Sequence, residues 1–180
     1  MTVTPSLCLR PRDPVWPRRL SERLGRDALC ELFTLGNPDL LRNPTTALFC
    51  SARCPGDRLL SAYDQAARWR DTGRCVIGGF HAPVEKACLR ILLRGRQPII
   101  VCPARGLPQR LAPELRAAFD AGRVLVLTPF AGAVDRVTAE LADRRNEVVA
   151  ALADEVWFAH ITPGGRMARL AERVRQWTSP

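Results

Sequence analysis

An α/β fold, built on a mainly parallel, doubly wound sheet with helices on both faces, follows from three features of this chain. From residue 47 onward, short apolar runs of strand length alternate with segments of helical periodicity. Each run ends in a turn rich in Gly, Pro or Ser. The runs are almost continuously apolar, the pattern of strands covered on both faces by crossover helices.

Residues 1–46 are rich in Pro and Arg and have little periodicity. They read as an N-terminal arm that covers an edge of the sheet, against the alternative that the first ~12 residues are unordered. After Trp16-Pro-Arg-Arg-Leu20, the positions Leu20, Leu24, Ala28, Leu29 and Leu32 form one apolar stripe of a short helix. Gly36-Asn37-Pro38 is a turn, and residues 39–42 are one more helical turn.

The regular part, residues 47–180, reads as a single domain. Its expected strands are 47–50, 74–77, 98–102, 123–127 and 155–159. Between them, Leu59, Leu60, Tyr63, Ala66 and Ala67 mark a helix that Gly73 closes. A second helix opens at Pro83 and carries Val84, Ala87, Cys88, Ile91 and Leu92 on one face. A third starts at Pro113 and ends at Gly122. Residues 134–152 form a helical stretch with Val134, Val137, Leu141, Val148 and Leu152 inward, and a break at Asp143 is expected. The last helix places Met167, Leu170, Ala171, Val174 and Trp177 inward.

A strand order of 3-2-1-4-5 in these five strands is the expected topology. Ligands of such sheets sit beyond the C-terminal strand ends, at the switch point between strands one and four. The loops placed there are Ser51–Gly56, Thr128–Gly132, Gly78–Glu85 and Thr162–Arg166.

Composition narrows the functions. The net charge is +9 and the pI about 10.1, which fits an anionic partner. A single lysine, Lys86, stands against 26 arginines, so part of this excess reflects codon composition rather than a partner. The seven cysteines are an odd number and three of them, Cys50, Cys75 and Cys102, lie in expected buried strands; reduced core thiols and a cytoplasmic location follow. Cys50 and Cys54 lack a second Cys/His pair nearby, so no metal site is expected. No apolar run approaches ~18–20 residues, so no membrane span is expected, and the N-terminus lacks the pattern of a signal peptide.

The loops offer anion binding more than catalysis. Gly78-Gly79 lies between a strand and a helix, where backbone N–H groups and the helix dipole favour negative charge. Arg53 and the Arg144-Arg145-Asn146 cluster are candidate phosphate clamps, because guanidinium pairs with phosphate in bidentate fashion. His81 stacks on a base, bonds a phosphate or lies on the surface; Phe80 wedges against the sheet edge or, as the lesser alternative, stacks on a base. Glu85, in the first turn of its helix, either complements the dipole or accepts ribose hydroxyls. Ser51, Gly56, Gly164 and Gly165 complete the candidate binding set. No nucleophile-elbow motif presents a serine; a Cys54–His81 pair is conceivable, since both lie in loops at the same edge, but two loop residues that never meet is the better reading. No catalytic residue and no cofactor are expected.

The order of these motifs resembles the DNA-processing protein A family (DprA, also called Smf), a Rossmann-like domain of the SLOG superfamily. The corresponding pieces are Trp16-Pro17, Gly36-Asn37 with Leu40-Leu41, and Ala47-Leu-Phe-Cys-Ser-Ala-Arg53. They continue through Gly78-Gly-Phe-His-Ala-Pro-Val-Glu85, Ile99-Ile-Val-Cys-Pro-Ala-Arg-Gly106 and Arg145-Asn-Glu-Val-Val-Ala-Ala-Leu152. The similarity covers roughly residues 16–177. It implies a recombination mediator that binds single-stranded DNA at the C-terminal edge of the sheet, with RecA and a second copy of the chain as partners. The sequence departs from the pattern at Cys50-Ser51-Ala52, where the family has a glycine, at Glu85, where it has Asp, and at Glu147, where it has Arg. The length leaves no room for the extra helical or winged-helix domains of many members.

Two other readings stay open beside this one. A SLOG-type domain also serves as a binder or sensor of a small nucleotide-derived ligand. LOG-type phosphoribohydrolases of the same superfamily carry Pro-Gly-Gly-x-Gly-Thr-x-x-Glu; here Pro163-Gly-Gly-Arg-Met-Ala-Arg-Leu-Ala-Glu172 lacks the Gly-Thr pair. Its Glu172 comes one residue late, a turn of ~100° on a helix.

Overall fold

The computed structural model describes residues 6–25, 29–132 and 136–178. Seven strands form one sheet: β1 (Ser6–Leu9), β2 (Leu32–Gly36), β3 (Thr45–Cys50), β4 (Cys75–Gly78), β5 (Ile99–Val101), β6 (Val124–Thr128) and β7 (Glu155–His160). The helices are α1 (Arg18–Leu24), α2 (Gly56–Thr72), α3 (Pro83–Leu93), α4 (Arg116–Asp120), α5 (Ala139–Leu152) and α6 (Arg166–Thr178). Two 3-10 turns, Pro38–Arg42 and Pro113–Leu115, join them. No helix among the described residues is long and apolar enough to cross a membrane.

The five expected strands are present as β3 to β7, and all five run parallel. Alternate residues of each strand feed two cores. Ala47, Phe49, Ile77, Ile100 and Leu127 face α1, α5 and α6, whereas Leu48, Val76, Ile99 and Val126 face α2, α3 and α4. Both faces are covered, which is why the strands read as unbroken apolar runs. Phe49 stacks on Phe158 at 5.4 Å in the first core, and Trp69 meets Trp157 edge-on at 5.3 Å in the second.

The strand order is β1-β2-β6-β5-β4-β3-β7, not the expected 3-2-1-4-5 arrangement. The N-terminal segment is the reason. Leu32–Gly36 extends as β2 and pairs antiparallel with β6, Phe33 opposite Thr128, and β1 pairs antiparallel with β2. The outer edge of β6 is thus occupied, and β7 joins the opposite end of the parallel array beside β3. The switch point lies between β3 and β7.

Other local expectations change with it. The helix expected through Leu32 ends at Leu24, where Gly25 turns with φ 54°. Ser6–Leu9 is a strand rather than an unordered lead-in. Residues Ala139–Leu152 form one helix with no break at Asp143, capped by the Thr138 hydroxyl accepting from the Leu141 N–H at 3.3 Å. Val137, expected inward, is exposed. Ala28 and Val134 lie outside the described residues.

Two polar ties set the switch point. The Arg23 Nη1 donates to the carbonyls of Ala150, Ala151 and Ala153 at the C-terminus of α5, and its guanidinium lies 5.9 Å from the Trp177 ring. A cation there satisfies carbonyls that have no helical partner. At the start of β3, Asp154 accepts from the Thr45 N–H at 2.7 Å and pairs with Arg19. Burial pushes the Asp154 carboxyl up, but the Thr45 N–H and Arg19 pull harder, and it lies below the usual carboxylate range.

A depressed carboxyl stabilises the fold above its unfolded pKa, and that contribution is lost as pH falls through the folded one. Asp154→Asn should therefore lower unfolding free energy at neutral pH by ~1–2 kcal/mol. The gap from wild type should close as pH drops below the ordinary aspartate range. Urea melts of both proteins over a pH series measure it; a gap that is constant with pH would contradict this role for Asp154.

Candidate nucleic-acid interface at the switch point

A cleft of about 650 Å³ opens at the C-terminal ends of β3 and β4, between the turn after β3, the turn after β4, the middle of α5 and the start of α6. Ser51, Arg53, His81, Glu85, Arg145, Asn146 and Gly165 of the expected set line it. Gly56 begins α2, Gly78 ends β4, Gly79 lies against the Arg145 guanidinium, and Gly164 turns with φ 68° just ahead of α6; none of the four lines the cleft. Thr128–Gly132 does not line the cleft, because β6 lies three strands from β3. The Thr128 hydroxyl instead donates to the Arg105 carbonyl at 2.7 Å.

The cleft is built around a buried carboxylate. Glu85 is 6% exposed. Its Oε1 accepts from the Cys50 N–H at 3.0 Å, and its Oε2 from the His81 N–H at 3.0 Å and the Ala82 N–H at 3.4 Å. One side chain therefore holds the end of β3, the turn after β4 and the N-terminus of α3. Burial pushes this carboxyl above the usual range, while Arg145 and the three N–H groups pull it down. Of the two readings of Glu85, its contacts are those of a helix-start ligand for backbone N–H groups.

Arg145 is the matching buried cation, 5% exposed. Its Nη1 donates to the Cys102 carbonyl at 2.9 Å and its Nε to Asn146 Oδ1 at 2.8 Å. The guanidinium lies flat on Gly79, where a Cβ would stand 1.5 Å from Nη1. This contact is the physical reason for glycine there. The neighbouring Phe80 has φ 47°, a left-handed conformation that costs a phenylalanine ~1–2 kcal/mol. Its ring is buried in the second core, against the sheet edge as expected, and offers no face to a base.

The rim is looser. Arg53, His81 and Arg166 are exposed. The Ser51 hydroxyl accepts from the Thr162 N–H at 2.9 Å, which ties the β3 turn to the β7 turn and leaves its own proton for a ligand. A register shift between Phe49 and Cys50, opposite β7, places this corner. The Cys50 thiol is pushed up to about 12, first by burial and then by Cys54 and Glu85, so it is not a nucleophile at neutral pH. Cys54 lies against the Pro55 carbonyl, 3.7 Å away, and does not line the cleft with His81. Among the described residues no three His, Cys, Asp or Glu side chains gather as a metal site.

Ala142 and Met167 line the cleft without having been singled out for it, and Arg166 does so as the last residue of the expected Thr162–Arg166 loop. Arg166 follows directly on Gly164-Gly165, and the basic residue beside that turn was the available signal. Ala142 and Met167 are helix positions whose apolar character alone marks them for the core. Glu147, which replaces a basic residue of the resembled motif, pairs with Arg144 and Arg173, each at 3.2 Å. Its charge is thereby offset.

The family model described as DNA recombination-mediator protein A matches residues 8–162. Among solved structures, DNA processing protein A from Streptococcus pneumoniae superposes with a TM-score of 0.78 at 21% identity, over 97% of this chain and 61% of that one. The chain thus spans less than two thirds of the length of that relative. DNA processing protein A from Helicobacter pylori, described for its single-stranded DNA binding mode, gives 0.75 at 17% identity, over 97% and 78%. No curated protein matches the sequence.

Replacing Gly79 by Ala should displace the Arg145 guanidinium and lower stability by ~2–3 kcal/mol. Gly165→Ala, where the nearest atom to an added Cβ is at 3.0 Å, should cost less. Thermal melts of the two variants beside wild type give the ranking, and an equal or reversed ranking would remove the claim that Arg145 packs on this turn.

Proposed function

The chain belongs to the DNA recombination-mediator protein A family, and from that membership we propose that its switch-point cleft binds single-stranded DNA by the phosphate backbone. One observation carries the reading: guanidinium groups of Arg53, Arg145 and Arg166 line a single open cleft whose one carboxylate, Glu85, is already committed to backbone N–H groups. Phosphate entering the cleft meets exposed Arg53 and Arg166 first. Asn146 Oδ1 is engaged by Arg145, so its amide protons point the cleft toward acceptors. Backbone contacts of this kind position a strand without reading its sequence. The relative from Helicobacter pylori binds single-stranded DNA. RecA as the receiver of the strand, and a second copy of the chain as partner, are further steps proposed from family membership.

A small nucleotide-derived ligand is the second reading, favoured by the cleft volume of about 650 Å³, which falls within the usual range for small-molecule sites. Hydrolysis of such a ligand is not proposed. Glu172 is 60% exposed on α6, pairs with Arg175 and does not line the cleft.

Anisotropy titrations of a labelled oligothymidylate at several salt concentrations test the main reading. Affinity should fall with salt at a log–log slope of about −0.7 per phosphate contact. Arg53→Ala should weaken binding several-fold and flatten the slope by about one contact's share. Arg116→Ala, on α4, should change neither. Equal losses from both variants would mean a diffuse basic surface, and displacement of the oligonucleotide by a mononucleotide at similar concentration would favour the small ligand.

For the hydrolase, the expected outcome is no release of free base from nucleoside monophosphates above a buffer blank by chromatography. Turnover that Glu85→Ala abolishes would reverse that conclusion.

A further inference from the structure

A second groove adjoins the cleft. It lies between α5 and α6, encloses about 240 Å³ and shares Asn146, Arg166 and Met167 with the cleft, so the two meet along these residues. Arg166, Arg169 and Arg173 line it from α6, Asp143 and Glu147 from α5, and Leu170 lies among them. The three arginines stand at i, i+3 and i+7, one face of the helix. They span about 10 Å of rise, which is about three stacked steps of a strand at roughly 3.4 Å each.

We propose that this groove is the exit path of a nucleic-acid strand whose end occupies the cleft, with Arg169 and Arg173 holding the phosphates that leave it. This rests on the single-stranded DNA reading of the cleft. The ion pairs already in the groove are of a kind that a phosphate displaces. Arg166 and Arg169 both reach the single carboxylate of Asp143, at 3.8 and 4.0 Å, with side chains 51% and 67% exposed. Long pairs in water contribute little, whereas a phosphate takes a guanidinium in two short charge-assisted bonds. Glu147 is shared between Arg173 and Arg144, so it keeps a partner when Arg173 turns to a phosphate. Three guanidiniums line the groove against two carboxylates, so a net positive charge is left for an anion. The apolar floor from Met167 and Leu170 suits a sugar or base edge between phosphates.

Two labelled oligothymidylates decide it, one of about four nucleotides that fills the cleft alone and one of about twelve that must leave it. The double variant Arg169→Ala, Arg173→Gln should bind the short probe within about twofold of wild type. It should bind the long probe roughly tenfold more weakly, with a salt slope flatter by about 0.7 for each lost contact. Arg169→Glu, at a side chain 67% exposed and paired only at 4.0 Å, should act in the same direction without touching the fold. If the variants leave the long probe unaffected, or weaken both probes equally, the exit path is overturned and the cleft reading stands. If wild type binds neither probe, the cleft reading falls and the exit path falls with it.

Discussion

Everything at the switch point hangs on the Glu85 carboxylate. It lies in the interior, accepts N–H groups from the ends of two strands and the start of a helix, and has the Arg145 guanidinium as its counter-charge. A buried charge is expensive unless its lone pairs are used and an opposite charge is near. Both conditions hold here, and they hold only for one geometry of the two turns. The left-handed Phe80 and the side-chain-free Gly79 are the local consequences of bringing those turns that close. The carboxylate also takes the place that a ligand's anion would occupy at the N-terminus of α3. The N–H groups at the start of α3 are thereby taken, and what the cleft offers an anion is guanidinium side chains.

The strand order has a similar single cause. Once β2 covers the edge of β6, the last strand of the parallel array can add only beside β3. That placement sets the turns after β3 and β7 side by side, lets Ser51 hold Thr162, and points the start of α6 into the cleft. Had β7 joined β6 instead, Arg166 and the basic face of α6 would lie at the far end of the sheet. An N-terminal segment with little visible pattern thus decides which loops make the site.

This explains what could and could not be read in the amino-acid sequence. The parallel strands were legible because burial on both faces leaves an unbroken apolar run, as in Val124-Leu-Val-Leu127. Leu32–Gly36 was not, because its leucines follow Leu20 and Leu24 at helical spacing, and only the pairing with β6 settles the conformation. Strand order was not legible either, since a helix of a given length can cross to either side of a sheet. The turns carrying Ser51, Arg53, His81 and Gly165 could be placed at one end of the sheet from their position after strands, and they line one cleft there. The role of Glu85 stayed undecided, because sequence does not say whether a first-turn carboxylate faces a ligand or its own backbone.

The charge at Glu147 has to be weighed together with the residues that surround it. Taken alone, an acid where the family pattern has a base argues against a phosphate site. In the fold, that acid lies one helix turn from Asp143 and opposite α6, and it is bracketed by Arg144 and Arg173. The positive charge lost from α5 is supplied across the groove from α6. An acid between two arginines also keeps their guanidiniums apart and oriented at low cost, where a third arginine would repel them. The sign of a single position therefore says little about the potential of a site assembled from two helices; what matters is the sum over the faces that meet there, and here that sum is positive.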